Sequence, residues 1–348
     1  FPQRPDLPYQ LLMREPTGSL LKGAPESILL PGKWYSNHYT SLQQQQVAWV
    51  QGRYEAMWLS CLRSQVDGRY FPISDHHIRG FSILGEDERC LEIFQDLYNN
   101  MPGEFQLGSI SNLFFIALGC DPIPRHFIDT LALHFEQLAQ SSVSDLPASP
   151  PLPKRLEVKE RPLMVVVSSD LRNHPVGRFW LPIVRQLRSQ FRLIHVVGAP
   201  RDSDPIRTEL RELSDEWWSL EASELSEMAR RIRSHAPSLL LDLGGHTADN
   251  YPAFLSHRLA TVQATYLGFY GPTYARCCDW WIVDHVLDRW IVNSYPGAEK
   301  LWALPGPSLC YVPDLHGLPD VDEIQYREPN HLVFGSFNHT RKLTRSSQ

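Results

Sequence analysis

Apolar residues recur at helical spacing over Val47 to Val66, Asp87 to Met101, Ser109 to Leu118 and Pro124 to Leu138, with no convincing strand among them. This pattern predicts an all-α helical N-terminal domain over residues 1–145. Val47 to Leu62 interleaves Ala, Tyr and Trp as a helical-hairpin repeat would, although the later helices fit no fixed period of about 34 residues. Pro147, Pro150, Pro151 and Pro153 then forbid a regular helix, and with their Ser and Ala neighbours they predict a linker over 146–161. Beyond it, short apolar runs alternate with amphipathic ones. Strands are expected at Leu163 to Ser169, Arg192 to Gly198, Leu239 to Leu243, Val262 to Leu267 and Trp280 to Val283. Helices are expected at Gly177 to Gln190, Asp204 to Leu213, Ser223 to His235 and Tyr251 to Arg258. Such alternation is the mark of βα units around a parallel sheet, so residues 162–331 read as an α/β, Rossmann-like lobe.

Composition narrows the class. A chain of 348 residues is long enough for about two domains of ~100–200 residues each. With 43% apolar and 21% charged residues it is neither disordered nor fibrous. The net charge of −6, without long single-sign runs, argues against a nucleic-acid or anionic-membrane partner. No run reaches the ~18 apolar residues of a spanning helix, and the first ten residues hold three prolines in place of an apolar signal core. Six scattered cysteines with no CxxC pair suit a reducing, cytoplasmic setting.

In an open α/β sheet, ligands sit outside the carboxyl ends of the strands, so the turns there carry the candidate chemistry. After Val167, the turn from Ser168 to Gly177 is polar and opens onto a helix; Asp170, Asn173 and His174 are its candidates. Asp170 and Asn173 serve equally well as helix caps. The second turn, Asp242 to Asn250, holds Gly244 and Gly245, which let the backbone approach a ligand, and His246 and Thr247, which offer donors and acceptors. A lone histidine is as readily structural. A third turn, Leu267 to Tyr274, is aromatic and punctuated by Gly268 and Gly271. A fourth, Phe334 to Lys342, runs from a strand into Asn338, Arg341 and Lys342, a cationic turn suited to phosphate. The dinucleotide, P-loop and nucleophile-elbow signatures are absent. Asp75-His76-His77 and Asp284-His285 lack a separated third ligand, so no metal site is expected.

Taken in order, VSSDLRNHPVGRF (167 to 179), LLDLGGHTADN (240 to 250), ATVQATYLGFYGPT (260 to 273), DWWIVDHVL (279 to 287), EKLWALPGPSLCY (299 to 311) and FGSFNHTRKLT (334 to 344) resemble the SPINDLY-like family of O-linked N-acetylglucosaminyltransferases. The resemblance covers about half the chain. It implies a GT-B fold of two Rossmann-like lobes and an inverting, metal-independent transferase without cofactor. Such an enzyme moves a sugar, N-acetylglucosamine in this family, from a UDP-sugar to Ser or Thr of a protein acceptor. His174 matches the family's histidine at the reaction centre, and Lys342 its phosphate-contacting lysine. His246 and Thr247 match the G-H-T turn on the donor side, with Asp170, Asn173, Gly244, Gly245, Gly268, Gly271 and Asn338 lining the cleft. In three places the chain departs from the family. His235 to Ser238 stands where D-G-I-D is usual, Tyr270 replaces a proline and Tyr274 a glycine.

The family continues into an entire second lobe, of which residues 332–348 are only the start. The sequence therefore predicts a truncated second lobe and a chain inactive by itself. The alternative is a non-catalytic relic that binds a protein through its helical domain and remaining lobe.

Overall fold

The computed structural model describes residues 65–66, 69–70, 91–92, 95, 107–117, 124–143, 146, 161–198, 204–220, 224–247, 249–291 and 299–313. The expected helices over 47–66 and 87–101 lie almost wholly outside these residues, as do the stretch from 147 to 160 and everything after residue 313. One feature of the N-terminal region departs from an all-helical reading. Gln65–Val66 (β1) and Arg69–Tyr70 (β2) form a two-residue antiparallel pair. The residues between them in sequence are Asp67 and Gly68, a dipeptide favoured in two-residue hairpin connections.

By its contacts the chain divides into two compact units, one of Gln106–Phe115 with Asp129–Phe334, the other of the remaining residues. The first unit holds a seven-stranded sheet. In chain order the elements after β2 are helices α1 (Leu107–Ala117) and α2 (Arg125–Ser142), β3 (Leu163–Val167), α3 (Pro175–Leu187), β4 (Arg192–Val197), α4 (Pro205–Glu212), β5 (Glu216–Ser219) and α5 (Leu225–Ser234). Then follow β6 (Leu239–Asp242), a 3-10 turn at Pro252–Ser256, β7 (Val262–Thr265), β8 (Trp280–Asp284), α6 (His285–Ile291) and β9 (Lys300–Leu304).

The strand order is β5-β4-β3-β6-β7-β8-β9 and every pair is parallel. The Rossmann-like reading therefore holds. The central strand shows why: Leu-Met-Val-Val-Val is apolar without alternation because helices cover both faces of a parallel sheet. β5, β9 and α6 add to the expected elements, and the expected helix at Tyr251 to Arg258 is one short 3-10 turn.

Helix α3 fixes the geometry of the first crevice loop. Pro175 stands at its first turn, where a missing N–H costs nothing, and Val176, Trp180, Leu181 and Val184 turn one face onto the sheet. Beneath it, Trp180 Nε1 donates to Nε2 of the buried His195 at 2.9 Å, and His195 Nδ1 lies 2.7 Å from Ser214 Oγ, which donates to the Leu210 carbonyl. The indole can only donate, so His195 carries its proton on Nδ1. Burial drives its pKa down to about 3.

Helix α2 is bonded to the connections after β6 and β7 through polar contacts. Glu136 Oε2 accepts from Ser256 Oγ at 2.8 Å and from the Arg276 amide at 3.1 Å, while His257 Nε2 donates to the Ala139 carbonyl at 2.9 Å. Among the described residues no helix is long and apolar enough to cross a membrane.

Candidate functional site

The chain winds outward from β3 through β4 to β5, then returns to place β6 on the other side of β3. Strand order reverses there, and in such sheets the loops on either side of the reversal part to leave a crevice for a ligand. Val167 registers with Asp242, so the loop over 168–174 and the loop over 243–250 leave the sheet at one level, side by side. These are the first and second turns singled out in the sequence.

The first loop is a run of tight turns: the Arg172 amide donates to the Asp170 carbonyl at 2.8 Å and the His174 amide to the Arg172 carbonyl at 2.6 Å. Asp170 is largely buried. Its Oδ1 accepts from Arg172 Nη2 at 3.2 Å and lies 3.8 Å from His174 Nδ1. Asn173 is exposed and accepts from Arg178 Nε and Nη2 at 3.0 and 2.8 Å.

His174 is the N-cap of α3. Its backbone is extended, and Nδ1 accepts from the Val176 amide at 3.3 Å. An amide N–H only donates, so in the neutral ring the proton sits on Nε2, the group this half-buried side chain can offer to a ligand. Burial lowers the pKa of His174 below the usual histidine value; Asp170 opposes that shift and Arg172 reinforces it. That shift favours the neutral ring.

The second loop is held from beneath. Asp242, at the end of β6, is buried, and its Oδ2 accepts from the Gly245 amide at 2.5 Å. Burial pushes this carboxyl up to about 7, against the Gly245, Gly244 and Thr265 hydrogen bonds that favour the charged form. Gly245 has φ +52, open to glycine without strain. Gly244 is required for a different reason: a Cβ there would stand 2.1–2.6 Å from the side chain of Asn250. Thr247 Oγ1 donates to the Gly244 carbonyl at 2.7 Å and accepts from Asn250 Nδ2 at 2.8 Å.

His246 lies in the core. Its ring stacks on Phe114 and meets Phe135 and Phe269 edge-on. Nε2 donates to the Thr273 carbonyl at 2.8 Å and Nδ1 accepts from Ser111 Oγ at 3.1 Å, so both nitrogens are engaged. Burial lowers its pKa to about 4. In this arrangement the imidazole holds the second loop against α1 and α2, with neither nitrogen free for the crevice.

The third turn is tied to the second by the Gly268 amide, which donates to the Leu243 carbonyl at 3.1 Å. Gly271 is buried in the same turn, and Tyr270 is exposed. Tyr274 stands where the resemblance has glycine and adopts φ +54, a left-handed backbone that costs a non-glycine residue on the order of 1 kcal/mol. Asn338 and Lys342 lie outside the described residues. Three residues not singled out in the sequence hold these two loops in shape: Arg172, Asp242 and Asn250. The local signal for Asn250 is its place in LLDLGGHTADN, six residues after the glycine that makes room for it. Among the described residues, no group of three or more His, Cys, Asp or Glu is placed to hold a metal ion.

No protein-family model matches the chain. It is 28% identical over 193 residues to the probable UDP-N-acetylglucosamine--peptide N-acetylglucosaminyltransferase SPINDLY of Solanum lycopersicum, covering 54% of this chain and 20% of that protein. The Arabidopsis thaliana SPINDLY is 27% identical over 194 residues, covering 54% of this chain and 21% of that protein. The chain thus spans about a fifth of the length of these curated relatives. A mutant O-GlcNAc transferase of Thermobaculum terrenum superposes with a TM-score of 0.52 at 20% identity, covering 85% of this chain and 59% of that one. That likeness shows a shared fold, in keeping with the Rossmann-like parallel sheet described above. Over about half its length the chain is similar in sequence to SPINDLY-type O-GlcNAc transferases.

Proposed function

We propose that this chain, as a homologue of SPINDLY-type transferases, forms the acceptor-side wall of a protein O-glycosyltransferase site that moves N-acetylglucosamine from a UDP-sugar to Ser or Thr. The observation that carries this reading is that two loops far apart in sequence, each bearing a motif of the resemblance, stand side by side at the strand-order reversal between β3 and β6. In the reaction, the acceptor hydroxyl oxygen bonds to the anomeric carbon as the bond from that carbon to the diphosphate breaks. The electron pair leaves with UDP, and the hydroxyl proton is released.

The transition state gathers negative charge on the departing diphosphate, and fixed donors placed there lower the barrier. Lys342 and the turn around Asn338 are the proposed phosphate contacts. His174 offers Nε2–H to orient the acceptor or the leaving phosphate, while Asp170 and Arg172 fix the electrostatics around the ring. His246 and Thr247 act on the donor side by holding the second loop in shape.

The test is a titration of the isotopically labelled chain with UDP and then UDP-N-acetylglucosamine, followed by amide NMR. Shifts concentrated in residues 168–177 and 243–250 are expected. Signals in both loops left unmoved by millimolar nucleotide would overturn the reading.

A further inference from the structure

The side-chain amide of Asn250 bridges the two loops of the crevice. Its Oδ1 accepts from the Ser169 amide at 2.9 Å and from Ser168 Oγ at 3.5 Å; its Nδ2 donates to Thr247 Oγ1 at 2.8 Å and to Asp170 Oδ2 at 3.3 Å. The orientation is chemically fixed, because the Ser169 N–H can only donate and the Asp170 carboxylate can only accept. A second strap runs beside it, from Ser169 Oγ to the Asp249 carbonyl. The other oxygen of Asp170 is the one that reaches Arg172 and faces His174 Nδ1. One amide on the second loop therefore holds the carboxylate that stands beside the imidazole on the first, and the chain leaves Gly244 without a Cβ so that the amide fits.

We propose that Asn250 is a positioning residue for His174: it pins Asp170, and through Asp170 it sets the charge and orientation of the histidine from the opposite wall of the crevice. This rests on reading the crevice as the transferase site. The amide donor draws on the Asp170 charge. When it is removed, the carboxylate is free to pair with a protonated imidazole; when it is replaced by a second carboxylate, negative charge is added near the ring. Both changes favour the imidazolium. The charged groups acting on His174 are Asp170 and Arg172 of its own loop, and from the facing loop Asn250 presents a neutral amide.

The experiment is a pH titration of the histidine ring signals by NMR in the full chain, with the His174 signal assigned by its loss in His174→Gln. In Asn250→Ala and in the nearly isosteric Asn250→Asp, His174 should titrate higher than in the parent by about half a pH unit or more, with the larger shift in Asn250→Asp. The signals of His195 and His246 should stay where they are. Asn250→Asp serves if Asn250→Ala does not fold. A His174 titration unmoved in a folded variant overturns the proposal, and so does a drift shared equally by all three rings. The transferase reading fails separately: if UDP leaves both loops unperturbed in the parent chain, that reading falls, while a His174 shift in the variants still establishes the link to Asn250.

Discussion

The imidazole of His246 lies parallel to the ring of Phe114, with centroids 4.4 Å apart and planes inclined by 18°. A residue from the switch-point loop is thereby built into the packing of a helix that precedes it by more than a hundred positions. Removing the ring leaves a cavity among three phenylalanines and strips partners from Ser111 and the Thr273 carbonyl. His246→Ala should therefore cost about 3–5 kcal/mol in urea unfolding. His246→Phe, which keeps the volume but not the hydrogen bonds, should cost less, about 1–3 kcal/mol. A His246→Ala chain as stable as the parent would show that the ring does not anchor the loop.

His174 performs two separable tasks. As an N-cap it accepts the Val176 amide, a bond whose loss costs about 1 kcal/mol. As an imidazole it serves the proposed reaction, where a positioned donor or acid-base group contributes about 10²–10⁴-fold. Asn caps helices well, so His174→Asn should hold the melting temperature near the parent value while His174→Ala lowers it. In a chain completed by a second lobe, sugar transfer per folded molecule should fall in both. Full transfer by His174→Asn would leave capping as the residue's whole contribution.

Three buried groups with large shifts contribute to the acid behaviour of the lobe, beside smaller contributions from Glu299 and His174. His195 and His246 titrate near 6.5 in the unfolded chain but only at about 3 and about 4 when folded, so their contribution is lost as pH falls below 6.5. Asp242 works the other way: folded, it takes up a proton below about 7, whereas unfolded it waits until 3.8, so it adds stability as pH falls through that window. Between about pH 6 and pH 4.5 the unfolded state leads by two protons and the folded state by one. These groups then give a loss of about 1.4 kcal/mol per pH unit on acidification. Asp242→Asn removes the opposing contribution and should steepen the measured loss by about 1.4 kcal/mol per pH unit. Urea midpoints across the window decide it, and a slope unchanged in the variant would mean that Asp242 is ionised throughout.

Gly244→Ala should destabilise by about 1–3 kcal/mol, because its methyl would overlap an Asn250 side chain already held by hydrogen bonds. The penalty should shrink when Asn250→Gly is made as well, since the two positions compete for one space. Additive losses in the double variant would place the clash elsewhere.

The features legible in the sequence were those that repeat or punctuate. The apolar run that opens Leu163 to Ser169 predicts a buried strand, which ends at Val167, and the glycine pair after Asp242 predicts the turn that ends β6. β5 escaped because Glu-Trp-Trp-Ser is a short edge strand with half-exposed residues and no apolar run. Tyr251 to Arg258 carries helical spacing, yet Pro252 opens a turn that ends within five residues. The burial of His246 was out of reach locally, for its cover comes from Phe114 and Phe135 on helices earlier in the chain. Asn250 sat in a quoted motif, but its role depends on Ser169 and Asp170, whose nearness follows only from the strand order.

That same strand order governs how the molecule comes together in time. β3 meets β4 across a short crossover, whereas its pairing with β6 awaits the whole of β4 through α5, and the bond from Ser169 to Asn250 closes a separation of 81 residues. Long closures are slow, because their entropy is spent before their contacts form. Pairing among β3, β4 and β5 does not require β6, whereas the two loops come together only where β6 is seated against β3. The integrity of the crevice is therefore a direct report on whether the two halves of the sheet have joined.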